Sequence, residues 1–222
     1  MSDNATQGDK SSWVPAIIAV MVLLLMAGFI ACGFATWMLF NKRAEFAAKT
    51  LRDGLVPDLQ QTQLSASEKD AITRQLTDVV QRLEQGILDN RQATGIMQRL
   101  VSLPLLAWGD LDGLQALIAE RGWSESDVQA ADRALSRAKR AVELGRAQAS
   151  DIETILDPVT VAASGRLRRK LNLQPTDQQI RECLSRATQL ADQERVPDQS
   201  FQVKLSTLVQ RAIEDGEIRG PN

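Results

Sequence analysis

The sequence predicts an all-α protein: one N-terminal transmembrane helix, then an irregular bundle of about six or seven helices joined by tight turns. Three observations predict this class. The run 13–40 contains no charged residue. Beyond it, apolar residues recur three and four positions apart in successive stretches, and Gly, Pro or helix-capping residues separate these stretches. No stretch shows the alternation of a half-buried strand, so no strand is predicted.

The apolar run 13–40 is longer than the ~20 residues that a helix needs to cross the hydrocarbon core of a bilayer. Trp13 and Trp37 lie near its ends, where indole rings favour the headgroup layer. A cleaved signal peptide is disfavoured, because residues 1–12 form a polar tail with little positive charge and the run exceeds a usual signal core. We therefore expect 13–40 to contact the lipid bilayer as a retained transmembrane helix.

Two rows of small residues, each spaced by four, run along this segment. Such rows let two helix backbones approach closely in lipid, which would indicate a homo-oligomer or a partner membrane protein. Gly and Ala are also common in spans that pack against no other helix, so both interpretations stay open. The rows consist of Ala27, Ala31 and Ala35, and of Gly28, Cys32 and Thr36.

The composition excludes several function classes. The chain has no His and no Tyr, and therefore lacks the commonest metal ligand and two side chains suited to proton transfer. The net charge of −2 does not favour nucleic-acid binding. Cys32 lies in the apolar run and Cys183 lies far down the chain, so no disulfide is predicted between them. Cys32 loosely resembles a lipoprotein acceptor, but the apolar run continues beyond it, so a plain span is favoured. We expect no metal and no cofactor.

Residues 41–64 are predicted as a juxtamembrane helix extension and a linker. Good helix formers follow the apolar run until Gly54 and Pro57 interrupt them. A soluble helical domain is expected over 65–216, and a short tail over 217–222.

Within 65–216 the helices are predicted from their starts and their apolar faces. Ser65 with Glu68 and Ser150 with Glu153 have the spacing of capping boxes. The remaining predicted helices start at Asn90, near Leu111, at Ser124, at Thr176 and near Phe201. No element is assigned from Pro158 to Leu173. The helix after Ser124 has a coiled-coil-like seam formed by Val128, Ala131, Leu135, Ala138 and Val142.

A short pattern, an apolar residue followed by Glu, any residue and Gly, ends four of these stretches. Gly readily adopts the positive φ with which a chain leaves a helix, so the pattern predicts helix ends. The alternative, a ligand-binding repeat, is disfavoured because the copies are unequally spaced. The four glycines are Gly86, Gly122, Gly145 and Gly216.

Two basic groups and a tryptophan pair are candidates for binding. Either basic group could contact an anionic surface, but charges along a helix more often form a solvated face, and the second group is favoured for contact. Trp108 and Trp123 are expected to pack in the core. The first group is Arg133, Arg137 and Arg140; the second is Arg166, Arg168, Arg169 and Lys170.

Together these features predict a single-pass, membrane-anchored protein-interaction or scaffolding module. The alternative is a membrane-bound enzyme with a carboxylate-based site that acts on a cell-envelope substrate. No acidic residue lies in a recognisable catalytic motif, so the sequence assigns no catalytic residue. The basic residues after the span outnumber Lys10 before it, which predicts an external N-terminus and a cytoplasmic helical domain, with the opposite orientation left open.

Overall fold

The computed structural model describes the backbone of residues 13–162 and 169–221, and the side chains of residues 17–33, 42–162 and 169–221. These residues are mostly helical, as predicted. Trp13–Lys42 and Arg43 onwards belong to two separate compact units. In chain order the elements are α1 (Trp13–Asn41), α2 (Arg43–Lys49), a π-helical segment (Thr50–Leu55), α3 (Val56–Gln60), α4 (Ala66–Glu84), α5 (Asn90–Ser102), α6 (Leu105–Glu120), α7 (Glu125–Glu143), α8 (Ala149–Leu156), a 3-10 turn (Asp157–Val159), β1 (Thr160–Ala162), β2 (Arg169–Leu171), α9 (Asp177–Gln193) and α10 (Leu205–Arg219).

Helix α1 is a helix of 29 residues that covers the whole apolar run. Its large apolar side chains at consecutive positions, from Val20 to Met26, are all exposed in the single chain. Counting only residues whose side chains are described, which in α1 are 17–33, no helix of the chain is long and apolar enough to cross a membrane.

The segment predicted as a helix extension and linker is helical from Arg43 to Gln60 and packs against α4 and α5. Leu51 and Leu59 are fully buried there. Pro57 supplies no amide donor, and its ring would clash with the carbonyl four residues earlier. The π register just before α3, in which the Val56 amide bonds to the Leu51 carbonyl, accommodates this proline without ending the helix. The interruption expected at Gly54 and Pro57 is therefore a change of helical register.

Three helix starts follow the predicted chemistry and four are shifted. Helix α6 begins at Leu105 rather than near Leu111, and α10 begins at Leu205 rather than near Phe201. Ser65, Ser124 and Thr176 each accept a hydrogen bond from the backbone amide three residues later. Only half of the capping box predicted at Ser65 forms, because the Glu68 carboxylate accepts instead from the amide and hydroxyl of Ser206. Helix α5 is capped by Asp89, because the predicted cap Asn90 instead accepts from the Ala44 amide at the start of α2, with an N to Oδ1 distance of 2.9 Å. Helix α8 starts after Gln148, whose amide donates to Asp151, so Ser150 is inside the first turn.

Three of the four pattern glycines have the positive φ of a helix end. Their φ values are 70° at Gly86, 69° at Gly122 and 68° at Gly145. Gly216 differs: it lies inside α10, and the helix ends at Gly220, whose φ is 66°. A Cβ atom at Gly216 would come within 2.6 Å of the Ile96 backbone. Gly216 is therefore needed for the close crossing of α10 over α5, where Gly95 is the small residue on the other helix.

The prediction that no strand forms was wrong. β1 and β2 form an antiparallel pair in which Thr160 lies opposite Leu171 and Ala162 opposite Arg169. Each strand has three residues, and only Thr160 and Leu171 point into the core. Three residues are too few to show a period of two in the sequence.

The predicted seam of α7 is buried in the second unit, with Leu135 and Ala138 fully inaccessible and only Val128 partly exposed. Helix α9 packs against this face, contributing the fully buried side chains of Ile180, Cys183 and Ala187. The small residues on both helices allow the close approach that the sequence indicated.

Candidate functional site

An apolar groove lies between the α2 to α3 segment and the corner at which α5 meets α6. Its volume is about 250 Å³, and the side chain of Val101 at its rim is 73% exposed. The π-helical segment contributes Leu51 and Leu55, and α5 contributes Met97. Leu103 and Leu106 complete the wall beyond α5. This groove is a surface on which aliphatic side chains of another molecule can be buried.

A polar cleft of about 720 Å³ adjoins the apolar groove, and the two share Ala107 and Glu153 as lining residues. Beyond Glu153 of α8, the cleft is lined by Asp110 of α6 and by Asp157 after α8. The described residues provide no hydrogen-bond or ion-pair partner for the Glu153 carboxylate. The groove and cleft, called the composite groove below, therefore change from aliphatic to acidic along their length.

The β hairpin closes one side of the cleft through Arg169. Its guanidinium forms an ion pair with Asp157 and donates to the Thr160 carbonyl at 2.8 Å. Arg186 of α9 lies 4.0 Å from the same carboxylate. Arg169, predicted for an anionic surface, thus holds the hairpin to the end of α8, and Lys170 is exposed on β2. Arg166 and Arg168 lie outside the described residues.

The carboxylates of the cleft do not form a metal centre in the described part of the chain. No group of three or more His, Cys, Asp and Glu side chains is arranged there to hold a metal ion. The cleft combines hydroxyls of Ser150 and Thr154 with the acidic residues. Its chemistry suits a cationic side chain of a partner, which a carboxylate can pair with at its rim.

The arginine stripe of α7, predicted as a solvated face, is partly buried. The Arg137 side chain is 6% exposed and donates to the carbonyls of Pro197 and Val196, at 3.1 and 2.6 Å. It also pairs with Asp192 at 2.6 Å. Because the backbone after α9 offers several carbonyls to one guanidinium, Arg137 holds that loop and is unavailable for an anionic surface.

Both tryptophans of the pair pack against cations. Trp108, 2% exposed, lies inside α6 with the Lys139 ammonium 5.8 Å from its ring centroid. Trp123 is half-buried, and the Arg181 guanidinium lies 4.9 Å from its ring centroid. Lys139 in turn pairs with Asp112. The prediction that Trp108 packs in the core is confirmed, and neither ring lines the composite groove.

The cysteines and the small-residue rows lie in different environments. Burial raises the pKa of the Cys183 thiol to about 12, an effect that nearby Arg186 partly opposes. In α1, the described members of the rows, Ala27, Gly28, Ala31 and Cys32, are exposed in the single chain. The side chains of Ala35 and Thr36 lie outside the described residues.

Sequence reasoning missed the composite groove. Its lining comes from α2 to α3, α5, α6, α8 and the hairpin, so only the fold brings these residues together. The one local signal was the aliphatic run Leu103-Pro104-Leu105-Leu106. Comparison of the chain with protein-family models, with curated proteins and with solved structures finds no match to any of them.

Proposed function

We propose that this protein is a single-pass, membrane-anchored interaction module. In this proposal α1 is the anchor, and the composite groove binds an amphipathic helical segment of a partner protein. The partner segment carries aliphatic residues followed by Lys or Arg.

The anchor proposal is supported by the length and composition of α1. At 1.5 Å per residue, its 29 residues extend over about 43 Å, more than the ~30 Å hydrocarbon core of a bilayer. Large apolar side chains occupy its whole circumference, since Val20 to Met26 span almost two turns and all are exposed. A helix that is apolar on every side is stable in a lipid environment or in a large core.

The aliphatic groove is continuous with the acidic cleft at Glu153, and this continuity supports the binding of an amphipathic segment. An amphipathic helix binds such a groove through side chains at i, i+3, i+4 and i+7. Leu55, Met97 and Leu103 offer the apolar contacts, and Glu153 offers a charge at the junction. The charge fixes the register of the partner and excludes segments that are acidic at this point.

We also propose that the helical domain faces the cytoplasm. Lys42, Arg43, Lys49 and Arg52 follow the apolar run, whereas Lys10 alone precedes it, and basic residues near a span are retained on the cytoplasmic side. A Leu173→Cys variant in a Cys32→Ala, Cys183→Ser background tests this, because Leu173 is exposed. We expect protection from an impermeant maleimide in sealed cells; labelling there would contradict the orientation.

Site-specific photocrosslinking in native membranes tests the binding proposal. A photoreactive amino acid replaces Val101 at the groove, and in a matched control it replaces Leu144, which is exposed outside the groove. We expect one stoichiometric protein adduct from position 101, lost in a Glu153→Lys background, and no such adduct from position 144. The same adducts from both positions, or an adduct that Glu153→Lys leaves unchanged, would contradict the proposal.

A further inference from the structure

One end of the helical domain, called the α2 end, is formed where α2 begins, α4 ends and α5 begins. The Ala44 amide donates to Asn90 Oδ1 at 2.9 Å, which joins the first turn of α2 to the first turn of α5. The loop between α4 and α5 is fixed at the same end by the Ile87 amide, which donates to the Arg82 carbonyl at 2.9 Å. Hydrogen bonds therefore join α2, α5 and the loop before α5 at this end of the second unit.

Two large apolar side chains are exposed at the α2 end. Phe46, two residues after Ala44, is 53% exposed, and Ile87, three residues before Asn90, is 62% exposed. The residue that follows each of them in the chain, Ala47 or Leu88, is buried, whereas Phe46 and Ile87 point outward. Two such side chains at one end of a domain can enter the boundary between headgroups and acyl chains of a bilayer together.

The charges at the α2 end favour an anionic partner. Arg91, in the first turn of α5, is exposed, and no described residue forms a hydrogen bond or ion pair with it. Lys49, the last residue of α2, is exposed about one helical turn beyond Phe46. Two of the acids at this end are already used inside the protein: Glu84 pairs with Arg52, and Asp89 accepts from the Gln92 amide at 2.7 Å. A third, Glu45, is exposed. The available charge is therefore mainly cationic.

We propose that the α2 end docks on the surface of an anionic lipid bilayer. Phe46 and Ile87 enter the boundary between headgroups and acyl chains, and Arg91 and Lys49 contact anionic headgroups. The inference rests on the proposed anchoring function, because only Lys42 separates α1 from α2 along the chain. So short a connection gives this end a high effective concentration at the bilayer, which lets weak individual contacts act.

Depth-dependent quenching of the full chain in proteoliposomes tests this proposal. Single cysteines are placed at Ile87 and, as a matched control, at Val101, in a Cys32→Ala, Cys183→Ser background. Val101 is an exposed aliphatic residue of α5 about 16 Å further along that helix than its first residue. Each cysteine carries an environment-sensitive fluorophore, and the vesicles contain phosphatidylcholine with or without phosphatidylglycerol and a headgroup spin label.

We expect the fluorophore at position 87 to shift to the blue and to be quenched in vesicles that contain phosphatidylglycerol, while the one at 101 is unchanged. Arg91→Gln should lower the ratio of docked to undocked chains by about fivefold, the effect of one cation at an anionic surface, while Arg74→Gln on α4 should not. Circular dichroism of each variant checks that it is folded.

A fluorophore at Phe29→Cys, read with an acyl-chain spin label, separates this inference from the anchor proposal. If the fluorophore at position 29 is quenched and those at positions 87 and 101 show the same shift and quenching as each other, the docking inference is overturned and the anchor proposal stands. No quenching at 29 would overturn the anchor and, with it, the basis of the docking.

Discussion

Gly122 and Gly216 follow the same short pattern in the sequence but have different backbones. Gly122 has a φ of 69° and nothing within 4 Å of the position that its Cβ would occupy. Gly216 is helical and touches the backbone of α5 through Ile96. The sequence pattern identifies positions that need Gly. Only the packing of α10 on α5, which are distant in sequence, shows that Gly216 is needed for its small size and not for a positive φ.

The two glycines should respond to alanine for different reasons. Gly122→Ala should cost about 1 kcal/mol, because Ala resists positive φ although space is available. Gly216→Ala gains up to about 1 kcal/mol of helix propensity but should still lower stability by about 1–3 kcal/mol, since its Cβ overlaps backbone atoms. Chemical denaturation measures both. A stabilised Gly216→Ala variant would contradict the close crossing.

Arg137 and Arg133 lie on the same face of α7 and provide a matched pair. Arg137→Ala removes the guanidinium that holds two carbonyls and Asp192, and should cost about 3 kcal/mol because those groups lose their partner. The Arg133 side chain is 45% exposed and lies 3.7 Å from Asp198, so Arg133→Ala should change stability by less than about 0.5 kcal/mol. Thermal unfolding measures both variants. If Arg137→Ala lowered stability as little as Arg133→Ala, the arginine stripe would be a solvated face.

The raised pKa of the buried Cys183 thiol predicts that the stability of the protein depends on pH. Its pKa rises from the usual 9.0 to about 12 by burial, so the folded thiol keeps its proton over a range in which the unfolded thiol loses it. The stabilisation is therefore complete below pH 9 and is lost as pH rises towards 12. Relative to Cys183→Ala, the unfolding free energy of the protein should fall by up to about 1.4 kcal/mol per pH unit there. Parallel curves for the two proteins would contradict the burial of this thiol.

At the scale of elements, the sequence predicted helices wherever a capping residue preceded an apolar period, as at Ser65, Ser124 and Thr176. It failed where local rules conflict with packing. Gly54 and Pro57 indicate a break, but buried leucines hold that segment on α4 and α5 in a π register. The hairpin of three-residue strands carries no periodic signal at all.

The packing of the α2 to α3 segment can be tested at Leu51. Leu51→Ala should cost about 2–5 kcal/mol, as expected for a fully buried leucine, and should reduce amide protection from Arg43 to Gln60. The exposed Leu173 is the control, and its replacement by Ala should cost less than about 0.5 kcal/mol. If Leu51→Ala also proved neutral, the segment would be a linker.

At the scale of the whole molecule, composition and the apolar run indicated a membrane anchor followed by a helical domain. The binding surface could not be predicted in the same way, because Leu55, Met97 and Glu153 lie on three elements far apart in the sequence and meet only when the domain packs. Membrane-anchored binding and docking of the α2 end both require that α1 is an integral span, since each needs the domain to be tethered to a bilayer.

Alkaline carbonate extraction of membranes from cells that express the full chain tests that claim most directly. We expect the protein to stay in the membrane pellet, and a Leu23→Arg, Leu25→Arg variant to be released, because each charge near the centre of a span costs about 2.5–3.5 kcal/mol. Val101→Arg in the helical domain is the control and should stay in the pellet. Release of the unmodified protein into the carbonate supernatant would contradict the account.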